Sequence, residues 1–164
     1  MTDWEAIDSG AATPRMAFGC FFGRVTEKRE IDGFTLARFL PTVPKSKVQR
    51  HRHEEAHFVF VLRGVYETRA QPAHDASAPR VIYSPPGTVH RDCFFHEDLS
   101  QSAFATLSVS SKALAAVATE TELPVQEVCL PASAIALVRQ LLTEARGHDD
   151  LASAVTEAHC LELL

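Results

Sequence analysis

Three histidines fall within seven residues at the head of HRHEEAHFVFVLRG (residues 51–64), and the chain turns apolar directly after them. A neutral imidazole offers a lone pair that suits divalent first-row metals, so His51, His53 and His57 are candidate ligands if one surface collects them. Alternate residues of a strand share a face, which puts His51 and His53 together. His57 has the same parity, but its four-residue spacing requires a curved strand, and one bulge would reverse its face. A fourth histidine, His90, follows the rigid turn Pro85, Pro86 and Gly87 in SPPGTVHRDCFF. The four could hold a divalent metal (Zn, Ni, Fe or Mn), line a metal-free polar pocket, or stand as solvated strand ends. His74, His96, His148 and His159 read as solvated residues of loops and helices.

The elements that must position these side chains are short. From Phe34 to Val109 the chain breaks into FTLARF, KVQRH, HFVFVLR, VYETRA, RVIYS, CFF and SAFATLSVS, separated by Pro and Gly at positions such as Pro41, Pro44, Gly64, Pro72 and Pro79. β-Branched and aromatic runs bounded by turn residues predict strands, and this density of them predicts an antiparallel sandwich or barrel. Residues of one parity, including Val59 and Val61 beside the histidines, would then line a cavity, with Tyr66 and Arg91 at its rim.

After Ser110 the composition shifts to Ala, Leu, Glu and Gln, which predicts helices. SSKALAAVATE opens with Ser110 or Ser111 as N-cap. Residues 131–146 place Ile135, Val138, Leu141, Leu142 and Ala145 on one face, between Pro131 and Gly147. GHDD reverses the chain, with Asp149 or Asp150 as cap, and Leu151, Ala154, Val155, Ala158 and Leu161 form a second stripe, giving a helical hairpin. The last helix ends on CLELL without a stop signal, so a longer natural chain is expected. The organisation is read as a flexible N-terminal arm (1–17), a β-barrel (18–110) and a helical segment (111–164).

Composition narrows the function. The 164 residues, 46% hydrophobic and 23% charged, can bury the core of one domain. A formal charge of −5 without a sustained Lys/Arg run argues against direct DNA binding by this chain. The first twenty residues hold Asp3, Glu5 and Asp8 and no continuous apolar stretch, which implies neither a secretory leader nor a spanning helix and hence a cytoplasmic protein without membrane contact. Cys20, Cys93, Cys129 and Cys160 have no CxxC spacing and read as reduced core cysteines.

HxH, a polar position four residues on, a terminal glycine and a later PxGxxH together resemble the two-part motif of the cupin superfamily, a jelly-roll β-barrel. His51, His53 and Gly64 match its first motif, and Pro85, Gly87 and His90 its second. This chain departs from the pattern at His57, where the family usually has a metal-binding glutamate, and at Phe94, where an asparagine often follows. Glu55 has a suitable parity to add an oxygen, but its spacing lies off the motif.

The stretches RHRHEEAHFVFVLRGVYET, SPPGTVHRDCF and the helix pair ALVRQLLTEARGHDD…TEAHCLELL resemble more narrowly the sensor domain of AraC-type transcription regulators, over residues 34–164. That resemblance implies a small-molecule effector in the barrel, a homodimer through the C-terminal helices, and DNA contact only through a further domain. The alternative from another class is a metal-dependent cupin enzyme, such as an oxygenase with Fe or Mn on the same histidines. Tyr66, Tyr83, Glu55 and Cys93 would be its nearest acid or base candidates.

Overall fold

Alternation along the apolar strands divides the molecule into two layers. The computed structural model of the chain describes residues 12–70, 78–147 and 150–164. Its strands are β1 (Arg15–Met16), β2 (Gly23–Ile31), β3 (Phe34–Pro41), β4 (His51–His53), β5 (Ala56–Arg63), β6 (Tyr66–Glu67), β7 (Arg80–Ser84), β8 (Val89–His90), β9 (Cys93–Phe94), β10 (Ala103–Val109) and β11 (Val128–Cys129). The main sheet has six strands in the order β11-β7-β5-β10-β3-β2, every pair antiparallel. A three-stranded sheet, β1-β4-β8, and the pair β6-β9 complete the β structure. The fold is therefore mainly β, as expected. Among the described residues the strand pairing does not close on itself, since β11 and β2 are the edges of the main sheet. A bend at Glu54 and Glu55 separates β4 from β5, and β4 pairs instead with β1 and β8.

In β5 the two residue parities face two cores. Phe58 and Phe60 pack with Leu36, Val81, Tyr83 and Leu107, and with Val138, Leu141 and Leu142 of the helices. Val59 and Val61 face the other way, into a cluster with Phe39, Ile82, Phe94 and Phe104. A strand covered on both faces reads as a continuous apolar run, which is why HFVFVLR lacks polar alternation. His57, on the parity of Val59, is consequently carried to the side away from the helices.

Three helices cover the first face: α1 (Ser111–Ala118), α2 (Ala132–Glu144) and α3 (Asp150–Leu163). Ser110 caps α1, its Oγ accepting the Ala113 N–H at 3.2 Å. In α2 the expected stripe is the buried one: Val138, Leu141 and Leu142 are buried, with Ile135 and Ala145 half-buried. The α3 stripe needs correction. Thr156, Cys160 and Leu163 are buried, whereas Ala154 and Ala158 are exposed and Leu161 is 45% exposed. Alanines are small enough for either side of such a helix, so its apolar pattern marks two faces and fixes neither. The Asp149 cap, His74, His148 and Pro72 lie outside the described residues, as does the side chain of Leu151.

Other expectations change locally. KVQRH is not a strand: Lys45–Lys47 form a 3-10 turn and irregular chain follows to β4. VYETRA contributes only Tyr66–Glu67. Strand β2 has no apolar alternation because its TEKRE stretch is largely exposed at a sheet edge. Within the expected arm, Arg15 and Met16 pair in parallel with Arg52 and His53. Of the four free cysteines only Cys93 and Cys160 are buried; Cys20 sits in a turn before β2 and Cys129 on the edge strand β11, both exposed. No helix among the described residues is long and apolar enough to cross a membrane.

Candidate metal centre

Three strands deliver four imidazoles to one place. β4 supplies His51 and His53, β5 supplies His57, and β8, antiparallel to β4, sets His90 directly opposite His51. The ring centroids of His53 and His57 lie 4.4 Å apart, those of His51 and His90 4.7 Å, and those of His53 and His90 5.4 Å. The Pro85-Pro86-Gly87 turn holds β8 against β4. Gly87 takes a φ of +76° and donates its N–H to the His53 carbonyl at 2.8 Å, and the Thr88 hydroxyl donates to the Pro85 carbonyl at 2.7 Å. Gly64 ends β5 at a φ of +94°, where a Cβ would lie 2.6 Å from Ser102 Oγ. The motif glycines are thus backbone requirements.

All four histidines are buried, yet their nitrogens are poorly satisfied. His51 Nδ1 donates to the Gln49 carbonyl at 2.9 Å, which leaves Nε2 with the lone pair. His57 Nδ1 lies 3.4 Å from the Glu55 carbonyl, a weak contact. His53 has no hydrogen bond at either nitrogen, although Glu55 Oε1 is 3.7 Å from its Nδ1. The Nε2 atoms of His53, His57 and His90 are all buried without a hydrogen-bond partner. Each such atom costs about 1–3 kcal/mol if it stays unpaired. Burial lowers the pKa of His51 to about 4 and pushes His53 and His57 below the ordinary imidazole value, neighbouring imidazoles adding to the effect. Those three are neutral, as metal ligation requires.

His90 is different. Its Nδ1 lies 3.0 Å from Glu127 Oε2 and 3.4 Å from Asp92 Oδ2. Burial opposes its charge, but Asp92 and Glu127 outweigh burial and raise its pKa to about 10. For Asp92 burial wins over the attraction of His90, and the pKa rises to about 6. Burial also works against Glu127, but its contacts with His90, Ala70 and Ser84 hold the carboxyl below its ordinary value.

One nitrogen each from His51, His53 and His90 can be chosen so that the three lie within 4.8 Å of one another; His90, Asp92 and Glu127 form a second such set. His51 and His53 offer neutral lone pairs, and His90 would add a third once the ion displaced its Nε2 proton; such a set fits a divalent ion that prefers imidazole and leaves coordination positions open. The adjoining cavity has a volume of about 30 Å³, walled by Phe21, Phe22, Val59, Tyr66, Phe94 and Phe104. That is room for an ion and one or two waters. Phe21 stacks on His53 with centroids 4.7 Å apart, and Phe22 stands edge-on to His51 at 4.8 Å.

Neither a protein-family model nor a curated protein matches the chain.

Of the residues singled out by sequence, Val59 and Tyr66 line the cavity with the four histidines. Val61 points to the same side but lies in the packed cluster beneath. Arg91 is not at the rim: alternation past His90 puts Asp92 on the histidine side, and Arg91 instead binds the Val48 and Lys45 carbonyls at 2.8 and 3.0 Å. Glu55 is buried beside His53, where it also accepts the Gly19 N–H at 3.0 Å. Sequence reasoning did not find Phe21, Phe22, Asp92 or Glu127. The parity of Asp92 with His90 was a usable signal; Glu127, in an irregular stretch far along the chain, gave none.

Proposed function

We propose that this chain is an effector-sensing and dimerisation domain of the AraC regulator type on a cupin scaffold, holding one divalent metal at His51, His53 and His90 with His57 beside it. The observation that carries the metal part of this reading is the set of buried imidazole nitrogens without hydrogen-bond partners, gathered from three strands onto one cavity; the sensor part follows from the resemblance of residues 34–164. The ion would act there as a Lewis acid with positions open to small ligands. The histidines would bind it, Phe21 and the apolar wall would keep bulk solvent away, and Glu127 with Asp92 would orient His90.

A cavity of about 30 Å³ favours the metal ion, alone or with a ligand of a few atoms, as the sensed species. A larger effector would first displace Phe21 and Phe22. Sensing requires only that the ligand bind one arrangement of the chain better than another. The exposed Ala154, Ala158 and Leu161, spaced i, i+4 and i+7 on α3, supply the homodimer face of this reading. Operator binding would fall to a separate domain, and the working place would be the cytoplasm. The oxygenase alternative would need room for an organic co-substrate beside dioxygen, which a cavity of about 30 Å³ does not give.

The reading predicts that chelator-treated protein, melted with and without excess Zn(II), Ni(II) or Mn(II), gains stability with at least one ion. At a metal concentration 100 times Kd the gain is about 2.7 kcal/mol. The His51→Ala, His53→Ala double variant should show no gain. An unmoved melting temperature in the unsubstituted protein with every ion overturns the proposal.

A further inference from the structure

Glu127 comes from neither the histidine strands nor their turns. It lies between α1 and α2, directly ahead of β11, and its side chain is only 3% exposed. Both carboxylate oxygens accept. Oε2 takes the Ser84 hydroxyl at 3.1 Å and faces His90 Nδ1 at 3.0 Å, while Oε1 takes the Ala70 N–H at 3.2 Å. The next residues run along the sheet edge. Val128 pairs with Tyr83, Cys129 pairs with Ile82, and the Leu130 N–H donates to the Val81 carbonyl at 2.8 Å. Pro131 then opens α2. The strand that seats α2 on the main sheet is therefore tied at its head to the histidine centre.

We infer that Glu127 is the positioning residue of this centre, and that through β11 it couples occupancy of the centre to the seating of α2. The inference rests on the metal reading above. A carboxylate that accepts from Nδ1–H fixes the ring, assigns the tautomer and makes Nε2 a stronger ligand. His90 Nε2 is the buried, unpartnered atom that this arrangement presents to the ion. Linkage makes the effect reciprocal: if the Glu127 contact strengthens metal binding, bound metal strengthens the Glu127 contact by the same factor. Asp92 cannot carry the coupling, because it stays between β8 and β9 and leads to no helix. The contact joins the sensing centre to the helical segment proposed to dimerise.

Co(II) is the probe, added to chelator-treated full chain with absorption and amide hydrogen exchange as readouts. The unsubstituted protein should bind Co(II), and exchange across residues 128–142 should slow on binding. Glu127→Gln offers an amide N–H₂ where a donor already points, so one bond is lost. Its affinity should fall about 10- to 100-fold and the Co(II)-dependent protection of 128–142 should disappear. Ser84→Ala keeps the carboxylate but frees one of its anchors, and should give a smaller loss of both; it serves if Glu127→Gln does not fold. Equal Co(II) affinity in Glu127→Gln, or protection that persists in it, overturns the inference. So does Co(II) binding that survives His51→Ala unchanged, because the ion would then sit on His90, Asp92 and Glu127 themselves. An unsubstituted protein that binds no Co(II), Zn(II), Ni(II) or Mn(II) removes the metal reading and this inference with it.

Discussion

Strand alternation is a short-range rule that puts His51 and His53 on one side of β4, while His57, on β5 of the main sheet, joins them across the bend at Glu54 and Glu55. The same rule, carried two residues past His90, selects Asp92 over Arg91. Glu127 was not legible, since its partner is 37 residues away and no periodic pattern surrounds it. The centre also sets a pH dependence of stability. The folded-state pKa of His51 is about 4, below its ordinary 6.5, because burial disfavours the charged ring, and His53 and His57 shift in the same direction. Between those values the unfolded chain binds more protons, so stability falls as pH drops from about 6.5 toward 4. His90 has the opposite sign: its contribution is whole below 6.5 and is lost as pH rises through about 10. Asp92, raised to about 6 by burial, offsets part of the acid loss, but three imidazoles outnumber it. Metal-free protein should therefore show a lower urea midpoint at pH 5 than at pH 7, with a shallower difference in His51→Phe. A midpoint that does not fall would contradict the buried neutral imidazoles.

Strands buried on both faces announced themselves in two ways, β5 and the centre of β7 as apolar runs and β10 as a β-rich stretch with Thr106 and Ser108 on one face, and α2 through its stripe and flanking Pro131 and Gly147. Edge elements did not: β2 is polar because solvent covers it, and β11 is two residues long. The α3 stripe was misread because Ala154, Ala158 and Leu161 are as apolar as Cys160 and Leu163. That same ambiguity leaves an apolar line on the outside of the helix. Sedimentation should find a dimer at micromolar concentration and a monomer for Leu161→Glu; a monomeric unsubstituted chain would refute this use of α3. At the other end of the sheet, Gly64→Ala must hold a φ of +94° and press Cβ onto Ser102 and Phe94. About 2 kcal/mol or more of stability should be lost, read as a shift in denaturant midpoint, and a neutral effect would mean that the β5–β6 turn can relax.

At the scale of the whole molecule, one sheet serves two neighbourhoods: its helix-facing side makes the larger apolar core, and its other side carries a second apolar cluster and His57, which meets His51, His53 and His90 of the three-stranded sheet. The sequence made the β-then-α order and the antiparallel pairing readable. It did not disclose the open pairing of the sheets, which depends on the bend at Glu54 and Glu55, nor the return of residues 127–130 to the sheet edge. That return makes the helical segment part of the centre. The measurement that bears most directly on a metal-holding sensor is elemental analysis of tag-free protein purified without chelators, beside the His51→Ala, His53→Ala variant. One divalent metal per chain, absent from the variant, is the predicted result. Metal near zero in both, even after loading with Zn(II), Ni(II), Fe(II) and Mn(II), would contradict the account.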